Sequence, residues 1–239
     1  MVKPVLPPAY DLLVIAGERD AFDRACELAR TSVEDGLLVW NERRDRLQMA
    51  VLLEPEAALP ITLQALSVFV LALGDALGGF TAPALPLALR WPNIVLVDGM
   101  ELARARCTWA EPAAAGDIPA WLVLGLDMPL HEPPEPGREP DRWTLEGAAG
   151  GSVAPAEIVA QIGRHFLLWT DRWQREGFAP IARAWNQRLD GKGRVQTFEL
   201  GGVAAAGIVE GIDNEGRLLI GGRRLGLYEL QPQSLSRPC

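Results

Sequence analysis

The most apolar stretch of the chain, Pro60–Phe80, constrains the fold more than any other segment. Leu63, Leu66, Val70, Leu73 and Leu77 recur at helical spacing, and Pro60 stands where a first helical turn tolerates proline. A membrane span needs about 20 nearly uninterrupted apolar residues. Gln64 and Asp75 interrupt this run, and Gly78 and Gly79 close it. The segment therefore reads as a helix buried inside a globular protein.

The remaining sequence supplies what would surround such a helix. Leu12–Ile15 reads as a strand, and Asp20 opens a helix that ends near Arg30 with Phe22, Cys26 and Ala29 on one face. Leu37–Trp40 and Leu47–Leu53 are β-like runs joined by the charged loop Asn41–Arg46. Ala88–Trp91, Ile94–Val97 and Leu102–Trp109 follow, and Asp98-Gly99 between the last two is a hairpin signal. Ala103, Ala105, Cys107 and Trp109 alternate with Arg104, Arg106 and Thr108, which predicts one packed and one polar face. Trp121–Met128 is a further strand, and Pro129–Asp141 reads as a stiff exposed loop.

Two more helices are predicted. Pro155 begins one with the stripe Ile158, Ile162, Phe166, Trp169 and Trp173, and Ala179–Leu189 forms the next. Asp190-Gly191-Lys192-Gly193 then breaks the chain. Val195–Leu200, Val203–Ile212, Arg217–Ile220 and Leu225–Leu230 are short β-like runs between glycine turns, and together they read as a small β-barrel. The expected organisation is an α+β domain over residues 1–189 and a β domain over 190–239.

Composition excludes several functions. A net charge of −8 disfavours nucleic acid as a partner. Cys26, Cys107 and Cys239 are too scattered for a disulfide framework, and with His131 and His165 alone no multi-histidine metal site is expected. Met1–Tyr10 lacks the apolar core of a signal peptide, so a cytoplasmic protein with free thiols is expected. No nucleotide-binding glycine loop, serine-nucleophile elbow or zinc-protease motif occurs. Arg43, Arg44 and Arg46 make Asn41–Arg46 the densest polar loop. Such arginines hold phosphate or carboxylate groups by paired bonds, or simply decorate a solvated turn. Cys107 and His165 read more readily as packed residues than as a nucleophile and a base.

Arg90-Trp91-Pro92-Asn93 ends one strand and leads into Ile94-Val95-Leu96-Val97-Asp98-Gly99. This resembles the biotin protein ligase family, within the wider biotin/lipoate ligase group, which carries a Lys-Trp-Pro-Asn-Asp strand end there. The resemblance continues in Val123–Met128, in Gly177–Trp185, and in Gly211-Ile212-Asp213 with Gly216, Leu218 and Leu219. It implies a class II synthetase-like mixed sheet with helices, followed by an SH3-like barrel. It also implies acyl-adenylate formation from ATP and biotin or lipoate with Mg²⁺, then transfer to a carrier-domain lysine.

The family's chemistry is where the sequence departs. Its Gly-Arg-Gly-Arg-x-Gly loop corresponds only to Asn41–Arg46, which has no glycine. Arg90 replaces a lysine, Ile94 an aspartate, and Glu101 a ligand-contacting lysine. Arg104 stands at a glycine, while Asp127 and Pro129 replace a glycine and an asparagine. Losing one electrostatic stabiliser costs roughly 2.7–4 kcal/mol of catalysis. The expectation is a ligase-like protein that adenylates poorly, with no catalytic residue assigned. Its candidate ligand contacts are Arg90, Trp91, Asn93, Arg104, Arg43, Arg44 and Arg46. It would bind a small carboxylate, a nucleotide or an acyl-carrier domain, with no nucleic-acid or membrane partner and a homodimer as the oligomer considered. The alternatives are an active divergent ligase or acyltransferase, which would use ATP and Mg²⁺ or the Cys107 thiol, and a structural interaction module. A repressor is not expected, because only Met1–Asp11 precedes the first strand.

Overall fold

A computed structural model describes residues 2–111, 114–131, 142–230 and 235. In chain order the elements are β1 (Asp11–Ile15), α1 (Ala21–Ala29), β2 (Leu37–Asn41), β3 (Arg46–Leu53), α2 (Leu59–Thr62), α3 (Gln64–Gly78), β4 (Leu87–Arg90), β5 (Ile94–Val97), β6 (Met100–Trp109) and β7 (Leu122–Pro129). Then come α4 (Leu145–Ala149), α5 (Pro155–Glu176), α6 (Ala179–Arg188), β8 (Val195–Leu200), β9 (Val203–Ile212), β10 (Leu218–Ile220) and β11 (Arg223–Leu225). The proline-rich segment 132–141 expected as a loop lies outside the described residues.

Every residue of α3 except Asp75 and Gly78 is buried. By length and composition Leu59–Gly78 could cross a bilayer, yet 78% of that window is buried inside the protein. The single helix expected from Pro60 is two segments, with Leu63 between them at φ −68° and ψ −17°. The two polar residues that interrupt the apolar run are points of attachment. Asp75 accepts the indole N–H of Trp169 at 2.7 Å and a guanidinium N–H of Arg188 at 2.6 Å. Gln64 accepts from the Trp173 indole at 3.1 Å and donates to the Glu215 carbonyl at 3.2 Å. Trp185 donates to the Ser67 carbonyl at 2.8 Å. Phe69 meets Phe166 edge-on at 5.2 Å between ring centres.

A seven-stranded mixed sheet in the order β1-β2-β3-β7-β6-β5-β4 lies beneath α3. Only β1 and β2 are parallel. Asp98 and Gly99 turn the β5–β6 hairpin with φ of 49° and 78°, the paired positive values that a tight two-residue turn needs. One face carries Trp40, Met49, Val95, Ala105, Cys107 and Leu124 into the core around α3. On the other, Val39, Ala50, Leu52 and Val123 pack beneath Phe22, Ala25 and Cys26 of α1.

The C-terminal strands form a four-stranded antiparallel sheet in the order β11-β10-β9-β8, not a closed barrel. The expected strand Leu225–Leu230 is instead the end of β11 followed by a 3₁₀ turn at Leu227–Glu229. Ala205, Val209, Ile212, Leu218 and Ile220 join the core that surrounds α3, so the two sheets share one apolar interior.

Gly125 of β7 allows α1 its close approach to the sheet. A Cβ there would stand 2.4 Å from Phe22 Cδ2 and 3.3 Å from the Met49 carbonyl oxygen. Gly125→Ala is expected to cost about 1–3 kcal/mol in urea unfolding through overpacking. An unchanged midpoint would show that α1 shifts freely.

Candidate functional site

The face of the large sheet that carries α1 also carries its charged side chains. In register, Asn41, Gln48, Asp127, Arg104 and Ile94 form one row across β2, β3, β7, β6 and β5. Arg106 stands two residues beyond Arg104 on β6, opposite Gly125.

Arg106 lies on the polar face that alternation predicts, yet that part of the face is covered. Its side chain is 6% exposed beneath the start of α1. Nη1 donates to both Asp20 carboxylate oxygens at 2.8 and 2.9 Å, and Nη2 to Asp23 at 3.3 Å. The guanidinium lies 4.2 Å from the Phe22 ring centre. Asp20 is also the N-cap of α1, accepting the backbone N–H of Phe22 at 2.8 Å and Asp23 at 3.2 Å. Gln48 donates to Asp20 at 3.2 Å and accepts from Asn41 at 3.0 Å. One carboxylate thus fixes the helix start, a buried guanidinium and the polar side chains of the neighbouring strands.

The next arginines along the face are paired as well. Arg46 Nε donates to Asp127 at 2.7 Å. Arg104 donates to Glu101 through Nη2 at 2.5 Å and Nε at 3.2 Å, and Arg142 reaches the same carboxylate at 2.8 Å. At the β2–β3 turn Arg43 grips Asp45 through two bonds of 2.9 and 2.7 Å, which holds that carboxyl below the usual aspartate range. Arg44 is exposed and forms no ion pair among the described residues.

Arg90 ends the same row on β4, opposite Ile94, while Trp91 packs into the core and Asn93 follows in the turn before β5. Arg90 Nε donates to Asp190 at 2.8 Å, at the start of the C-terminal segment. Trp91 is buried; its indole donates to the Gly216 carbonyl at 3.2 Å and its ring lies 5.1 Å from Phe198. Asn93 is buried and bonds Ala105 in both directions, at 2.7 and 2.8 Å. The tetrapeptide therefore joins sheets and strands, whereas Arg46 and Arg104 come together on the α1 face. Sequence reasoning misses Arg142 and the pairing role of Asp20. Asp20 reads only as a helix start, and Arg142 follows a proline-rich segment with no periodicity.

The thiols are sequestered. Cys107 is fully buried on the opposite face of the sheet, and burial raises its pKa far above the ordinary thiol range. Burial pushes Cys26 up to about 12. Among the described residues no group of three or more His, Cys, Asp or Glu is placed to hold a metal ion.

The sequence profile of the biotin/lipoate A/B protein ligase family matches residues 6–187. The chain belongs to this family. Among its ligase relatives, a biotin–[acetyl-CoA-carboxylase] ligase from Paracoccus denitrificans is 32% identical over 177 residues, 72% of each chain. A biotin protein ligase-like protein of unknown function from Silicibacter sp. TM1040 superposes with a TM-score of 0.84 at 26% identity, over 99% of this chain and 100% of that one. Biotin protein ligase from Aquifex aeolicus superposes with a TM-score of 0.75 at 18% identity, over 90% and 94% of the two chains, which shows the common fold.

Two outcomes test the geometry of this face. Asp20→Ala removes both short bonds to the buried Arg106 guanidinium and uncaps α1, so urea unfolding is expected to show a loss of about 3–5 kcal/mol. Asp23, 67% exposed in its pair with Arg106, is expected to cost under about 1 kcal/mol when changed to Ala. Separately, Cys26 and Cys107 are expected to resist iodoacetamide at pH 8 in the native protein and to react fully in guanidinium, read by peptide mass spectrometry. Rapid native alkylation of Cys107 would contradict the buried placement.

Proposed function

We propose that this chain is a ligase-fold binding protein that has given up efficient acyl-adenylate formation and takes a small ligand on the α1 face of the large sheet. The observation that carries this reading is the commitment of Arg46, Arg104 and Arg106 to internal carboxylates. Adenylation concentrates negative charge that free cationic groups must meet. Here Asp127 and Glu101 lie among the very arginines that would meet it. The residues present do not fit the triphosphate of ATP with its Mg²⁺, and no catalytic step is assigned to them.

The candidate contacts keep different weights on this reading. Arg104 and Arg46 line the proposed site, with Arg43 and Arg44 at its rim. Arg90, Trp91 and Asn93 serve it by joining β4, β6 and the C-terminal sheet. Residues 1–189 are read as the ligase-like unit, and 190–239 as a divergent SH3-like module. The proposed partners are a small molecule or an acyl-carrier domain, and the proposed compartment is the cytoplasm, which suits the two free thiols among the described residues. A homodimer is the oligomer to test by light scattering.

A second reading, an active divergent ligase, is favoured by the 32% identity to the Paracoccus ligase. Direct acyl transfer through Cys107 has no such support, because the thiol is buried. ATP–pyrophosphate exchange separates the two readings. No exchange above the protein-free blank is expected with biotin, lipoate or octanoate. Exchange that depends on any of these acids would establish the ligase instead.

A further inference from the structure

We propose that the α1 face takes a zwitterion, a small molecule that carries both an ammonium and a carboxylate. The inference rests on reading this face as the ligand site, and it names the class of ligand.

The charges on this part of the sheet alternate. Arg46, Asp127, Arg104, Glu101 and Arg142 follow one another through ion pairs or cross-strand register. None is fully buried: the side chains of Arg46 and Arg104 are 33% and 22% exposed, and Asp127 and Glu101 are 10% and 13% exposed. A ligand can therefore reach both signs of charge.

The pairing has an alternative arrangement. Arg104 stands directly opposite Asp127 on the neighbouring strand, a position from which side chains interact, yet its guanidinium turns to Glu101. Glu101 already has Arg142. Arg104 can thus exchange one carboxylate for the other without losing an ion pair, and Glu101 can be partly released.

A simple anion that claimed Arg104 would lie against Glu101 and Asp127. A simple cation that claimed Glu101 would lie against Arg104 and Arg142. Both juxtapositions are repulsive. A zwitterion avoids them. Its carboxylate bonds a guanidinium, its ammonium bonds the carboxylate that guanidinium released, and the charge of the site is unchanged. Ile94, directly opposite Arg104 on β5, offers an apolar contact to the carbons between the two charges.

The test is an NMR titration of the ¹⁵N-labelled full-length protein. The probes are ω-amino acids from glycine to 6-aminohexanoate, the matched alkyl carboxylates and amines, and biotin and lipoate. At least one amino acid is expected to bind with a Kd about tenfold or more below both its matched carboxylate and its matched amine, shifting resonances of β6 and β7. Its affinity should change little with added salt, because no net charge is neutralised. Glu101→Gln and Arg104→Gln are each expected to weaken binding about tenfold, while Arg104→Lys retains part of it. The amide fingerprint confirms that each variant is folded. Equal or tighter binding of a carboxylate, biotin or lipoate at β6 and β7 would overturn the zwitterion and keep the ligand face. Binding only at other elements, or to no probe, would overturn the proposal and remove its support for the ligand face.

Discussion

The indole N–H groups of Trp169, Trp173 and Trp185 all end on α3, on Asp75, Gln64 and the Ser67 carbonyl. Gln64 and Ser67 are buried, and each unmade bond in the interior costs about 1–3 kcal/mol. These contacts therefore fix where α5 and α6 can sit. Once they are placed, the sheet beneath α3 has one face committed to the core. Its reverse is free to carry α1 and the charged row.

The same constraint joins the two sheets. Gln64 reaches the Glu215 carbonyl, and Trp91 reaches the Gly216 carbonyl in the same turn before β10. Among the described residues the C-terminal sheet has no second layer of its own, and it buries apolar residues in the core around α3. Its open form follows. Four strands lined on one side by Ala205, Val209, Ile212 and Leu218 need another surface, and the larger unit supplies it.

Much of this was legible in the residues. The long apolar run announced the buried helix, and Asp98-Gly99 announced its hairpin, because both depend on local chemistry. The break at Leu63 did not show, since its dihedral angles stay near helical values. Period-two alternation placed Arg104 and Arg106 on one face correctly. It could not reveal that α1, some 80 residues earlier in the chain, covers Arg106 and leaves Arg104 accessible. The candidate site was legible to the same extent. The departures at Glu101 and Asp127 stood out as changes of charge, but which arginine each would bind depends on strand register. Arg90-Trp91-Pro92-Asn93 identified the family and then spent its side chains on joining sheets and strands. A motif can mark ancestry while its residues perform structural work.

Asp20 has an evolutionary consequence. Because its Oδ1 caps α1 while both its oxygens accept from Arg106, removing this carboxylate to offer the guanidinium to a ligand also removes the lock on the helix. A lineage building an anion site through this residue would pass through a poorly folded intermediate. At Glu101 no helix is at stake, and Arg104 has Asp127 opposite it. The accessible route of functional change therefore runs through Glu101. The stability of the fold, more than the chemistry of either arginine, decides which mutations selection can use first.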